Sequence, residues 1–244
     1  MPTYCRTNWA ICILPYLEAQ NLYESYDNNL PNGDLANKLV LQTTLPVMSC
    51  PSDPLAGQLA ATSYMLSIED AARGSYKGVA GVNNVPGFLL LWDFHDQNHN
   101  PSQQANPQAR GPLHVTGNDP NLFRPVQVSE IRDGLSNTLL VGEYHSTTGD
   151  SWHMPFWAST TAYHNLSLAW AESYARGLPD LDDCVNISGG DWLRCQRAFA
   201  SLHSGNMLNF VTCGGSVIRI SPNMDGALYE AAGTIAGGEI LLLE

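Results

Sequence analysis

Apolar residues recur at helical spacing near the start of the chain. Within residues 9–28, Leu14, Leu17 and Leu22 follow one another at intervals typical of one helix face. Pro15 fits the first turn of such a helix, because an N–H group at that position would have no intrahelical partner. The segment therefore predicts a helix that packs against the rest of the fold.

Later segments carry strand patterns instead. Residues 138–142 are apolar and β-prone and follow an Asp-Gly turn, and residues 156–160 form a second strand candidate. Residues 207–220 contain two β-prone runs on either side of Gly214-Gly215, which predicts a β-hairpin.

Helical patterns return at residues 167–176 and 225–233, and Asp225 is placed to cap the second of these helices. Strands and helices do not alternate regularly, which predicts an α+β fold with an antiparallel sheet rather than a parallel α/β fold. We interpret residues 1–244 as one domain, in which the Asn-, Gln- and Pro-rich residues 83–125 form a long loop or insertion.

The charge balance limits the possible partners. The chain has 11 Lys and Arg residues against 23 Asp and Glu residues, so its formal net charge is −12. This disfavours nucleic acid and anionic membranes, which attract clustered basic residues. No apolar run approaches the ~20 residues of a membrane-spanning helix, and no signal-peptide pattern is visible at the start. A metal cation is the partner that such a charge favours.

The cysteines bear on the cellular compartment. Cys184 and Cys195 flank a loop with two glycines at its centre, and a disulfide there would contribute about 3 kcal/mol through loop entropy. The two thiols could equally remain reduced, and Cys5 and Cys50 form another possible pair. A 184–195 bridge would imply an oxidising compartment.

An acidic segment surrounds this cysteine pair. Asp180, Asp182, Asp183 and Asp191 lie in a stretch bounded by Pro and Gly. Calcium prefers six to eight hard oxygen ligands, including carboxylates, so these four residues are the predicted Ca²⁺ ligands. The alternative is a solvated acidic loop without a metal.

Candidate catalytic residues follow the predicted strand at 138–142. Glu143, His145, Asp150 and His153 are close in sequence, and strand-end loops are common places for chemistry. His203, before the predicted hairpin, is the fifth candidate. Carboxylates and histidines could act as general bases beside a metal. The alternative is that Glu143 and His203 have structural roles, with hydrogen bonds to the backbone or to another side chain.

Several phrases, taken together, are similar to those of a known family. They occur in the order WAICILPYLEAQNLY, MSCPSDP, SYKGVAG, DGLSNTLLVGE and SLHSGN, followed by VTCGGSVIRISPNMDGALYEAAGTIAGGE. The chain resembles the planctomycete-type prepilin-like family of unknown function, whose members look like major pseudopilins of type II secretion. The resemblance implies a pilin-like head with a helix packed on an antiparallel sheet, a calcium ion and a periplasmic or extracellular location.

The chain also departs from that family. Family members begin with a prepilin cleavage site and a long apolar assembly helix, and the sequence has neither. We therefore expect a soluble, calcium-binding, pseudopilin-like domain without filament partners. The alternative is a calcium-dependent hydrolase of small esters or lactones, with the candidate catalytic residues as its bases.

Overall fold

A computed structural model describes residues 7–62, 68–82, 92, 106–116, 124–144, 152–177 and 180–238. The α-helices are α1 (Trp9–Ile13), α2 (Gln20–Glu24), α3 (Lys38–Gln42), α4 (Ala162–Asn165), α5 (Leu181–Ser188), α6 (Trp192–Cys195) and α7 (Gly226–Ala232). The strands are β1 (Leu59–Ala61), β2 (Asp70–Ala72), β3 (Tyr76–Val79), β4 (Leu139–Glu143), β5 (Leu166–Ser167), β6 (Leu208–Thr212) and β7 (Val217–Ile220).

A five-stranded sheet organises the fold, with the strand order β5-β3-β4-β6-β7. All of its neighbouring strands are antiparallel except β3 and β5, which are parallel. Strands β1 and β2 form a separate antiparallel pair. The α+β fold class with a largely antiparallel sheet is thus confirmed, and the predicted hairpin corresponds to β6 and β7.

The N-terminal segment is helical, but it is not one continuous helix. Asn8 caps α1 by accepting a hydrogen bond from the backbone N–H of Ile11, and a 3₁₀ helix follows at Leu14–Leu17. Glu18 then adopts a left-handed conformation with φ = 58°, which ends the turn before α2 begins. Pro15 lies in the first turn of the 3₁₀ helix. Proline has no backbone N–H to bond to an earlier turn, so the start of a new helical segment is favoured over the continuation of α1.

Two of the predicted elements are wrong. Residues 156–160 contain only an isolated bridge between Phe156 and Arg73. Residues 167–176 begin in strand β5 and form no α-helix. Three consecutive residues there, Leu168–Trp170, are at most 1% exposed. A run buried on all sides suits an extended segment packed on both faces, so tertiary packing overrides helix propensity here.

Part of the predicted long loop belongs to the core. Residues 83–91, 93–105 and 117–123 lie outside the described residues. Trp92, however, is only 1% exposed, and its indole N–H donates to the carbonyl of Asn106. The described residues 106–116 also hydrogen-bond to the chain around Val79–Val82. These contacts differ from the expectation of a surface loop with little core-forming power.

The buried side chains form two main clusters. One lies between the five-stranded sheet and α7, where the rings of Phe210 and Tyr229 meet at 6.0 Å. The other packs Ile11 and Leu14 of the N-terminal segment against α3 and Phe156. Within the described residues, no helix is long and apolar enough to cross a membrane.

Cys184 and Cys195 form a disulfide, as the sequence allowed. The residues between them are not a loop but the helices α5 and α6, separated by Gly189, whose φ of 72° suits the end of a helix. The bridge is compatible with an extracellular location. Cys50 remains an unbridged thiol, and Cys5 lies outside the described residues.

We expect the double variant Cys184→Ala/Cys195→Ala to be less stable than the oxidised protein by about 3 kcal/mol, because the bridge restricts the unfolded chain. Urea denaturation followed by circular dichroism measures the difference. Dithiothreitol should lower the midpoint of the wild type and leave that of the variant unchanged. Equal midpoints for oxidised wild type and variant would show that the bridge is energetically neutral.

Candidate functional site

Three segments that are distant in sequence meet at the end of β4, the central strand of the main sheet. Cys50 follows the 3₁₀ helix Pro46–Met48, Glu143 ends β4, and His203 lies in the turn before β6. Their ligand atoms Sγ, Oε1 and Nε2 all lie within 4.8 Å of one another. We call these three residues the polar cluster. Each comes from one of the phrases that carry the family resemblance, namely MSCPSDP, DGLSNTLLVGE and SLHSGN.

Glu143 is the fixed centre of the cluster. Gly142, the residue before it, pairs with Phe210 of β6, which places the Glu143 side chain beside Asn209. The backbone N–H of Asn209 donates to Glu143 Oε2 at 2.8 Å, and its side-chain amide donates to Oε1 at 3.0 Å. The Glu143 side chain is 6% exposed, so these bonds replace the water that the carboxylate loses on burial.

His203 joins the carboxylate to the other two segments. Its Nε2 lies 2.8 Å from Glu143 Oε1 and 3.6 Å from Cys50 Sγ. On the opposite side of the ring, Ser52 Oγ lies 3.3 Å from Nδ1. The histidine side chain is 34% exposed, so this ring is the part of the cluster that reaches solvent.

Tyr76 lies beside the cluster, because it pairs with Glu143 across β3 and β4. Burial raises the pKa of Tyr76 to about 12, with smaller contributions from Cys50 and Glu143. The phenol therefore stays neutral at physiological pH and can serve as a hydrogen-bond donor at the edge of the site.

A cavity of about 710 Å³ extends from the polar cluster over the face of the sheet. Its walls are mostly apolar. One wall consists of Trp9, Ile13 and Leu17 from the N-terminal helical segment, and the floor includes residues of β4, β6 and β7. We call this cavity the sheet groove. Polar groups are concentrated at one end, where Cys50, Glu143, His203 and Asn209 lie.

The contacts around His203 allow two kinds of chemistry. Ser52 and Glu143 approach opposite ring nitrogens, as the serine and the carboxylate of a serine hydrolase do, but with Ser52 at Nδ1 and Glu143 at Nε2, the reverse of the usual assignment. Cys50, Glu143 and His203 Nε2 converge on one point, as metal ligands do. A cysteine hydrolase relay is not formed, since the thiol and the carboxylate share the same ring nitrogen.

The structure brings together two of the five predicted catalytic residues, Glu143 and His203. His145 and Asp150 lie outside the described residues. His153 is buried and stacks on Tyr163 with 5.0 Å between ring centroids, and its backbone carbonyl accepts a hydrogen bond from Lys77. A catalytic role for His153 stays a prediction.

Sequence reasoning missed Cys50, Ser52 and Asn209. Cys50 was considered only as a possible partner of Cys5, and nothing in its local sequence indicates a partner 93 or 153 residues away. The available signal was that Cys50, Glu143 and His203 belong to separate phrases of one family pattern. Phrases that recur together are candidates to meet in space.

The predicted calcium ligands have other partners in the structure. Asp180 caps α5 by accepting hydrogen bonds from the N–H groups of Asp182 and Asp183. Asp191 caps α6 and also forms an ion pair with Arg194. Among the described residues, these acids do not form a group of three close ligand atoms. Calcium binding here stays a prediction.

We expect Asp180→Ala to lower the free energy of unfolding by about 1 kcal/mol, because α5 loses its cap, and Asp180→Asn to cost much less. Urea denaturation in EDTA measures both values. Repeating it with calcium tests the metal: binding at ten times the dissociation constant would add about 1.4 kcal/mol. A calcium increment that Asp182→Asn abolishes would support the predicted calcium site over a purely capping role for Asp180.

The fold and the site define a class of protein: an α+β domain with an apolar groove on one sheet face and a partly buried carboxylate–histidine–thiol cluster at its end. The chain belongs to the family SBP_bac_10, described as "Protein of unknown function (DUF1559)", whose model matches residues 2–227. No curated protein and no solved structure matches the chain.

Proposed function

We propose that this domain is a pseudopilin-like interaction module that binds an apolar α-helix in the sheet groove. The observation that carries the proposal is the groove itself, an open apolar surface beside an otherwise well-packed sheet. The prepilin-like phrases of the sequence support it, because that resemblance implies a helix packed on an antiparallel sheet.

The floor of the groove is a row of valines. Val141 pairs with Val211, and Val211 pairs with Val217, so the three side chains share one face of β4, β6 and β7. Val141 and Val211 are half-buried, and Val217 is 75% exposed. The opposite face carries Phe210 and packs on α7. The valine face is therefore the one with room for a further element.

A helix suits this surface in both size and chemistry. An α-helix with its side chains is about 10–12 Å across, and stacked layers lie about 10 Å apart. Covering an exposed valine fully is worth about 1.5–3 kcal/mol. Trp9 and Leu17 would contact the same helix from the side, because they form the wall of the groove.

A fluorescently labelled amphipathic peptide of about 20 residues, with a Leu/Ile/Ala face and balanced Lys and Glu on the other, tests the proposal by anisotropy. We expect saturable binding, and no binding of a scrambled peptide with the same composition. Val211→Glu should weaken binding at least tenfold, or about 1.4 kcal/mol, because it places a charge on the groove floor. Val128→Glu is the matched control, since Val128 is 69% exposed and does not line the groove.

Two results would contradict the proposal. One is a scrambled peptide that binds as tightly as the amphipathic peptide. The other is equal weakening by Val211→Glu and Val128→Glu, which would place binding away from the groove.

A hydrolase of small esters or lactones is the second candidate. One arrangement favours it: Ser52 Oγ lies 3.3 Å from His203 Nδ1, while Glu143 holds Nε2 at 2.8 Å. In this scheme His203 would take the Ser52 proton as the oxygen attacks a carbonyl, and Glu143 would stabilise the charged ring.

Hydrolysis of p-nitrophenyl acetate, p-nitrophenyl butyrate and γ-butyrolactone tests this candidate, with and without calcium. A hydrolase requires turnover that Ser52→Ala abolishes and that the exposed neighbour variant Ser204→Ala retains. No turnover above buffer, or equal turnover by both variants, would remove this candidate and leave the interaction module.

A further inference from the structure

We propose that Cys50, Glu143 and His203 bind a divalent transition-metal ion, with Zn²⁺ as the expected ion. The ligand atoms would be Cys50 Sγ, Glu143 Oε1 and His203 Nε2. The proposal goes beyond helix binding and does not depend on it.

The spacing of the three atoms fits a tetrahedral ion. Zinc bonds of about 2.3 Å to sulfur and about 2.0–2.2 Å to nitrogen and oxygen place the ligand atoms about 3.4–3.6 Å apart. Cys50 Sγ lies 3.6 Å from His203 Nε2 and 3.9 Å from Glu143 Oε1. His203 Nε2 and Glu143 Oε1 are 2.8 Å apart, the length of a hydrogen bond, so an ion between them needs the half-exposed ring to move by less than 1 Å.

The donor set selects a borderline-soft ion. Thiolate and imidazole are ligands that zinc and related transition metals prefer, whereas calcium and magnesium require oxygen. The site therefore differs in chemistry from the calcium site predicted at the acidic segment. Three protein ligands leave a fourth position, and all three residues line the sheet groove, so that position is available to water or to a groove ligand.

Neighbouring groups would orient two of the ligands. Asn209 holds the Glu143 carboxylate through its backbone N–H and its side-chain amide. Ser52 Oγ lies against His203 Nδ1. On metal binding, the thiol of Cys50 would release its proton, and the histidine proton would move from Nε2 to Nδ1, where Ser52 Oγ accepts it. His203 stays neutral, as a metal ligand must.

Two of the three ligands are buried, so the cluster is held by the fold and is not an accidental contact between surface side chains. Cys50 is 8% exposed, and Glu143 is 5% exposed. Cys50 follows directly on the 3₁₀ helix Pro46–Met48, and Glu143 ends the central strand β4, so the fold fixes both ligands and only the His203 ring has freedom to close on an ion.

Titration with Zn²⁺ and Co²⁺ under reducing-agent-free, anaerobic conditions tests the proposal. We expect one equivalent of Co²⁺ to produce the near-ultraviolet thiolate-to-cobalt band and Zn²⁺ to displace it. Cys50→Ser should abolish the band, His203→Gln should weaken binding more than 100-fold, and Ser52→Ala about 10-fold. Cys12→Ser is the matched control, because Cys12 is an exposed thiol outside the polar cluster, and this variant should bind as the wild type does.

A measurement on the unaltered protein guards against variants that fail to fold. Alkylation by iodoacetamide, followed by peptide mass spectrometry, should slow at least tenfold at Cys50 when Zn²⁺ is added and should stay unchanged at Cys12. No cobalt–thiolate band, or equal alkylation of Cys50 with and without zinc, would overturn the proposal. Peptide binding in the sheet groove can succeed or fail independently when it is measured on EDTA-treated protein.

Discussion

Glu143→Ala is expected to lower the free energy of unfolding by about 3 kcal/mol, one of the two largest effects of a single substitution here. The substitution removes the acceptor of the Asn209 backbone N–H, the Asn209 amide and the His203 ring. Both Asn209 donors point at the Glu143 carboxylate, which is 6% exposed at the end of β4, so the substitution takes away their acceptor. Two unsatisfied donors at about 1–3 kcal/mol each account for the estimate.

Urea denaturation of Glu143→Ala, Glu143→Gln and Glu24→Ala measures this effect. Glu143→Gln keeps one acceptor oxygen and should lose an intermediate amount. Glu24 is exposed on α2, so Glu24→Ala should change the stability by no more than about 0.5 kcal/mol. If Glu143→Ala proved as stable as Glu24→Ala, the cluster would have no structural role.

Lys77→Met is expected to have an effect of similar size, about 3 kcal/mol of lost stability. Lys77 lies on β3 and is only 1% exposed. Its ammonium donates to the backbone carbonyls of His153 at 2.6 Å and Tyr163 at 2.7 Å, and it lies 3.6 Å from the centre of the Tyr144 ring. Methionine preserves the length of the side chain but leaves both carbonyls without this donor.

Thermal and urea unfolding of Lys77→Met, beside Lys38→Met as the exposed control on α3, measures the loss. Because the ammonium fastens residues 153 and 163 to the sheet, limited proteolysis should also cut between them faster in the variant. Equal or higher stability of Lys77→Met would mean that the desolvation of the buried charge outweighs its contacts.

Local sequence patterns predicted the structure where the residues in contact are close together in the chain. Asp225 caps α7 by accepting from the N–H of Leu228, and the two glycines after β6 make the turn to β7, as their residue types predicted. The 184–195 disulfide joins residues 11 positions apart, and the spacing had allowed this bridge without requiring it. In each case the partners are no more than about a dozen residues apart, so a short stretch of sequence contains both partners of the contact.

Predictions failed where distant packing decides the conformation. Residues 167–176 have helix-forming composition, yet Leu168–Trp170 are buried, follow directly on β5 and form no helix. The first helix is interrupted at Glu18, whose left-handed backbone no sequence rule anticipated. At residues 168–170, burial by elements far along the chain supplied the larger free energy.

The sequence predicted only some residues of the candidate site, because the site is formed by segments that are far apart in the chain. Glu143 and His203 stood out as carboxylate and imidazole in strand-end positions, and the structure joins them directly. Cys50 is 153 residues from His203, and only the folding of the whole chain brings the two together. The acidic segment drew attention by its composition, whereas two of its carboxylates serve as helix caps.

The most direct test of the central claim, that the open sheet face is a helix-binding surface, is methyl nuclear magnetic resonance. Protein with labelled valine methyl groups would be mixed with the amphipathic peptide, and intermolecular nuclear Overhauser effects recorded. We expect contacts from the peptide to Val141, Val211 and Val217, which line the sheet groove, and none to Val128. Contacts confined to Val128, or none to the three groove valines at saturating peptide, would contradict it.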